Sequence, residues 1–144
     1  MKNIAVLVLA AGKSSRMKSI KQLLKIKDKT LLEITLETAK SVFPKNIFCV
    51  LGANAEKIEK KTTTKGIQYI YNKSFESGLS SSIVTGINHF RRESLNFDGV
   101  LILLADQPAI ETSYLESMHH LFQTNDNIII ASKYGNKLGV PVIF

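Results

Sequence analysis

Ile4-Ala5-Val6-Leu7-Val8-Leu9-Ala10-Ala11-Gly12-Lys13-Ser14-Ser15-Arg16 decides how this 144-residue chain is read. Ile4 to Leu9 is apolar throughout, without the polar alternation of a strand that has one wet face. Such a run suits a strand buried on both faces, as in a parallel sheet flanked by helices. It passes directly into a turn of small residues, where backbone amides can approach an anion closely. The turn has a single glycine, so neither the G-x-x-x-x-G-K-[ST] nor the G-x-G-x-x-G spacing is met. A plain turn accounts for Gly12 as readily as a phosphate loop does. Met1-Lys2-Asn3 ahead of the apolar run resembles the opening of a signal peptide, but no cleavage region precedes Gly12 to Arg16. No stretch approaches the ~18 apolar residues of a membrane span. We expect a cytoplasmic protein without a membrane partner.

Outward from this strand, helices and strands alternate. Thr30-Leu31-Leu32-Glu33 fits a capping box, and Leu31, Leu32, Ile34, Leu36, Ala39 and Val42 form the apolar face of the helix it opens. Asn46 to Leu51 reads as a second buried strand, residues 55–63 as a short charged helix and Ile67 to Tyr71 as a third strand. A polar loop, Asn72 to Gly78, leads to a helix over Ser80 to Phe90, which one of the serines could cap. Val100 to Leu104 is the fourth apolar strand, ended by Ala105-Asp106-Gln107-Pro108. Ser113-Tyr114-Leu115-Glu116 offers a second capping box for a helix running to Gln123. Ile128 to Ala131 reads as another strand, and the chain closes on Val140-Pro141-Val142-Ile143-Phe144. The alternation predicts one α/β domain over 1–144, a mostly parallel sheet with helices on both faces. An apolar strand at the very end predicts that the domain continues past Phe144.

The formal charge is +7, and Lys13, Arg16, Lys18, Lys21, Lys25, Lys27 and Lys29 crowd one segment after the first strand. No aromatic residue interleaves them, which argues against single-stranded nucleic acid, where bases stack on rings. A polyanionic small molecule fits better; a solvated lysine-rich surface is the plain alternative. One cysteine, Cys49, excludes an internal disulfide and reads as a small core residue. His89, His119 and His120 show no metal-like spacing.

In an open parallel sheet ligands bind at the carboxyl ends of the strands. Three polar segments emerge there: residues 10–21, 72–82 and 105–108. Asp106, just past an apolar strand, can hold Mg²⁺ against phosphate oxygens, or can simply form the turn. Gly78 with Ser80, Ser81 and Ser82 opens a helix whose amides favour an anion, or is capped by serine.

Taken together, Leu9-Ala10-Ala11-Gly12-x-Ser14-Ser15-Arg16-Met17 with Lys21-Gln22-Leu23-Leu24 resembles the signature of the MobA-like NTP transferase family, nearest its molybdenum cofactor cytidylyltransferase branch. Val50-Leu51-Gly52-Ala53, Asn72 with Gly78 to Ser82, Leu104 to Pro108 and Gly139 to Val142 follow in the same order. The resemblance implies a Rossmann-like three-layer α/β/α nucleotidyltransferase fold. It also implies transfer of a CMP group from CTP, with Mg²⁺, to a molybdopterin-type phosphorylated acceptor, releasing pyrophosphate. By position, Leu9, Ala10, Ala11 and Gly12 would meet the nucleotide, and Arg16 and Lys21 would neutralise its phosphates. Asn72 and Ser81 would lie near the nucleotide, and Asp106 would hold the metal. A guanylyl- or sugar-phosphate nucleotidyltransferase, or a non-catalytic nucleotide-binding relative, are the alternatives. Two departures stand out: Lys18-Ser19-Ile20 replaces the Gly-x-Pro usual before the lysine, and Val140 stands where histidine is common.

Overall fold

The computed structural model describes residues 1–13 and 19–144; Arg16, with Ser14, Ser15, Met17 and Lys18, lies outside the described residues. The elements are β1 (Ile4–Ala10), β2 (Lys25–Ile26), β3 (Lys29–Thr30), α1 (Leu31–Val42), β4 (Ile47–Leu51), α2 (Ala55–Lys61) and β5 (Ile67–Tyr71). They continue with α3 (Leu79–Arg92), β6 (Gly99–Leu104), α4 (Thr112–Thr124), β7 (Ile130–Tyr134) and β8 (Lys137–Ile143). Short 3-10 turns occur at Lys21–Leu23 and Phe75–Ser77.

Six strands form one sheet in the order β5-β4-β1-β6-β8-β7. β5, β4, β1 and β6 are parallel, while β8 runs antiparallel to both β6 and β7. The apolar run of β1 is explained by its position: it pairs on both edges and is buried along its whole length. Its side chains alternate between two cores. Ile4, Val6, Val8 and Ala10 face α1, α2 and α4 through Leu32, Leu36, Ile58, Leu115 and Met118. Ala5, Leu7 and Leu9 face α3 through Phe90, Ile83 and Ile87. Helices therefore cover both faces, as the alternation of elements predicts. α3 comes very close, since a Cβ added at Gly86 would lie 2.6 Å from Leu7 Cδ2. Cys49 is fully buried, and burial pushes its thiol far above the usual range.

Two local expectations are corrected. α4 starts one residue before Ser113, with Glu111 at its N-cap and no side-chain capping bond. Ser113 sits inside the first turn, where its carbonyl accepts from Ser117 Oγ at 3.1 Å. The strand expected over 128–131 is β7 at 130–134, because its pairing with β8 sets the register from Tyr134↔Lys137 back to Ile130↔Ile143. The apolar segment 137–143 is inserted between β6 and β7.

The capping box on α1 is present, and it does more than cap. Glu33 Oε1 accepts from the Thr30 N–H at 3.0 Å, while Thr30 Oγ1 accepts from the Glu33 N–H at 3.1 Å. Glu33 Oε2 accepts from the Thr63 N–H at 2.9 Å and hydroxyl at 2.6 Å, tying α1 to the segment after α2. Burial alone would push this carboxyl up. The donors of Thr63 and Thr30 outweigh it and hold the group at about 2, against an ordinary 4.5. The folded-state value lies below the unfolded one, so the stabilisation is full above about pH 4.5 and is lost as pH falls toward 2. We expect the unfolding free energy from urea titrations to fall over that window by about 2 kcal/mol. Glu33→Gln should remove that part of the acid dependence; an unchanged acid limb in the variant would refute the assignment.

Candidate functional site

Strand order reverses between β1 and β6. From β1 the chain builds outward to β4 and β5, then crosses by α3 to β6 on the other side of β1. Such a switch point leaves a crevice at the carboxyl ends of the two strands, because the connections leave in opposite directions. A cleft of about 320 Å³ lies there. It is lined by Leu9 to Gly12 after β1, Lys21 and Gln22, the Phe75–Gly78–Leu79–Ser82 segment, and Leu104 to Asp106 after β6.

The backbone of the β1 turn is held from two sides. Ala11 O accepts from the Ala53 N–H at 3.2 Å. Ala10 O and Gly12 O accept from Gln22 Nε2 at 2.9 and 3.1 Å. Gln22 is a buried polar side chain, only 5% exposed. Gly52 sits behind the turn: a Cβ there would lie 2.5 Å from Phe75 Cβ and 3.0 Å from Ala11 Cβ. The lack of a side chain at 52 is what lets β4, the β1 turn and the Phe75 turn approach.

In the same cleft Lys21 Nζ lies 2.9 Å from Asp106 Oδ2, both side chains partly open to solvent. The 3-10 turn that carries Lys21 is anchored by Ile20 and Leu23 against the core. Asp106 is placed by β6, whose register with β1 runs from Ile4↔Gly99 to Leu9↔Leu104. Ala105 N–H donates to Leu9 O at 3.1 Å, carrying the pairing one residue further. Lys13 pairs with Glu76 at 3.2 Å across the rim, and Lys29 with Glu37 at 2.6 Å. Among the described residues of the basic cluster, Lys13, Lys21 and Lys29 thus pair with three different carboxylates.

Of the residues expected at the site, Leu9, Ala10, Ala11, Gly12, Lys21 and Asp106 come together in this cleft. Arg16 lies outside the described residues. Asn72 and Ser81 are not among the lining residues. Asn72 is buried, its Nδ2 donating to Ser81 Oγ at 2.9 Å and Ser82 Oγ at 3.0 Å, and its Oδ1 accepting from the Ser74 N–H. Ser81 Oγ contacts Gly78 O at 2.7 Å. No serine caps α3; Gly78 is its N-cap at φ 92°, a conformation glycine adopts without strain. The pair therefore braces the loop that delivers Phe75, Gly78 and Ser82. Sequence reasoning gave no role to Phe75, and Gln22 entered only as part of the Lys21–Leu24 motif. A polar residue between Lys21 and Leu23 carried the only hint, since its burial is a tertiary property. The three histidines lie elsewhere: His119 stacks at 4.9 Å on Phe43 and contacts Gln123, and burial, with His120 beside it, lowers its pKa.

Among the described residues no group of three or more His, Cys, Asp or Glu could hold a metal. A lone carboxylate such as Asp106 suits a hard cation that takes its other oxygen ligands from phosphates and water, the usual state of Mg²⁺. It does not suit zinc. No helix among the described residues is long and apolar enough to cross a membrane.

A mostly parallel α/β sheet with a small-residue turn and an aspartate side by side at its switch point has the architecture in which nucleotide-type ligands are held at strand carboxyl ends. The chain belongs to the MobA-like NTP transferase domain family, whose model matches residues 6–144. It is 34% identical to the bifunctional protein GlmU of Buchnera aphidicola subsp. Schizaphis graminum over 99% of its own length, and spans 30% of that protein. The crystal structure of Rv0371c from Mycobacterium tuberculosis H37Rv is similar, with a TM-score of 0.81 and 27% identity; the match covers 99% of this chain and 71% of that one. A nucleotidyl transferase from Methanothermobacter thermautotroptrophicus shares the fold at a TM-score of 0.83 and 21% identity, over 98% of this chain and 70% of its own.

Proposed function

We propose that this domain binds CTP with Mg²⁺ in the β1–β6 cleft and transfers its CMP group to a phosphorylated acceptor, a molybdopterin-type cofactor. The observation that carries the reading is the pairing of Lys21 with Asp106 in the cleft that the Ala10–Gly12 turn also lines. A cation for phosphates and a carboxylate for a metal thus share one cleft with a small-residue turn. Family membership supports nucleotidyl transfer, and the likeness of Leu9 to Met17 and Lys21 to Leu24 to the cytidylyltransferase branch supports CTP and the acceptor.

In this reading an acceptor phosphate oxygen attacks the α-phosphorus, the bond to the bridging oxygen breaks, and pyrophosphate departs. Such transfers need positioning and charge stabilisation more than covalent help from the protein. Bound Mg²⁺ would polarise the phosphoryl oxygens. Asp106 would hold that ion. Lys21, with Arg16, would neutralise the triphosphate and the charge gathering on pyrophosphate. The Leu9–Gly12 backbone would seat the nucleotide, and Asn72 and Ser81 would act near it by fixing the loop that carries Phe75 and Ser82. The location is proposed as cytoplasmic, with neither nucleic acid nor membrane as partner.

The test is pyrophosphate release with CTP, Mg²⁺ and molybdopterin, with GTP and UTP as competitors. We expect release that depends on all three components and is inhibited weakly by GTP. A clear GTP preference would overturn the cytidylyl assignment in favour of a guanylyl reading. Release with a sugar phosphate but not with molybdopterin would overturn the acceptor.

A further inference from the structure

We propose that Gln22 is a positioning residue: its side-chain amide sets the peptide orientations of the Ala10–Gly12 turn and through them the nucleotide affinity of the cleft. The affinity part rests on the reading of this cleft as the NTP site. A primary amide has two protons, and Nε2 lies within hydrogen-bond distance of two acceptors, Ala10 O at 2.9 Å and Gly12 O at 3.1 Å. The carbonyl between them, Ala11 O, is taken by the Ala53 N–H. Three successive carbonyls are therefore assigned to two different partners.

In a planar trans peptide each carbonyl oxygen lies on the opposite edge from the next N–H. Holding the oxygens of residues 10, 11 and 12 thus also sets the directions of the N–H groups of Ala11, Gly12 and Lys13. Those donors are what a turn of this kind offers to an anion. Ala10 and Ala11 are buried, so their carbonyls cannot exchange a protein donor for water without rearrangement. Lys21 and Gln22 are consecutive on one 3-10 turn. Lys21 reaches the aspartate after β6 and Gln22 the turn after β1, so one anchored segment spans both rims of the cleft.

Two variants separate this role from simple packing. Gln22→Met keeps the volume and removes both donors; Gln22→Glu keeps the shape and presents acceptors to acceptors. Hydrogen–deuterium exchange at residues 11–13 is measured on nucleotide-free protein, and Mg·CTP affinity by calorimetry. We expect exchange at 11–13 to quicken while β1, β4 and β6 stay protected, and the CTP dissociation constant to rise about tenfold. If Gln22→Glu does not fold, Gln22→Met carries the test. Parent-like exchange at 11–13 overturns the proposal, and so does a loss of affinity matched by faster exchange throughout the sheet. Lys21→Met serves as the reference for the site. If it weakens CTP while the Gln22 variants do not, this inference fails alone. If the parent protein takes up no CTP, the cleft reading fails, and exchange at 11–13 still decides whether Gln22 holds the turn.

Discussion

Asp106→Ala is expected to lower metal-dependent pyrophosphate release by about 100-fold or more, with the fold intact. Asp106 stands at the end of β6 with its side chain 35% exposed, and its described ion pair is with Lys21. Losing a partly exposed pair of this kind costs up to about 1 kcal/mol, too little to unfold a domain. The loss should therefore appear in turnover and in Mn²⁺ uptake measured with CTP present, and hardly in the melting temperature. Asp106→Asn should behave similarly, because it keeps the shape and removes the charge that holds a divalent ion. Turnover within a few-fold of the parent in both variants would rule out the metal assignment.

Gly52→Ala is the substitution from which the largest structural damage is expected. The added methyl would lie 2.5 Å from Phe75 Cβ and 3.0 Å from Ala11 Cβ. Both are Cβ atoms fixed to backbone, so no rotamer change relieves the overlap, and the segments must separate. Overpacking of this sort costs about 3 kcal/mol. Because Phe75 and Ala11 both line the cleft, and Ala11 O takes the N–H of Ala53 next door, the same movement should weaken CTP binding. Chemical denaturation and calorimetry on one preparation would read both effects. A midpoint and an affinity equal to those of the parent would show that the turns yield more easily than the contacts imply.

Much of this architecture is legible in the chain because it follows from local chemistry. The unbroken apolar runs of β1, β4 and β6 report burial on two faces, and Thr30 with Glu33 reports a helix start within four residues. The polar segments after β1 and β6 are visible as departures from those runs, which is why Gly12 and Asp106 stand out from the amino-acid order alone. What escapes is decided between distant segments. Glu111 displaces Ser113 as the cap of α4, although a serine followed by a glutamate looks the better start. The ties of Gln22 to Ala10 and Gly12 cross ten or more residues and leave no periodic trace. Glu33 reads as a cap alone, yet its second oxygen is spoken for by Thr63, thirty positions along the chain. Asn72 and Ser81 are recognisable as a pair from motif spacing, but only packing distinguishes bracing the loop from lining the cleft.

The insertion of residues 137–143 between two neighbours has a consequence for assembly. β7 has β8 as its described ladder partner and reaches the rest of the sheet through it. The stretch 130–134 can take its place in this sheet only with the later segment 137–143 set between it and β6. In the sheet the two form one ribbon that is joined to the rest through its inner member. Damage to the inner member would unzip the outer one with it.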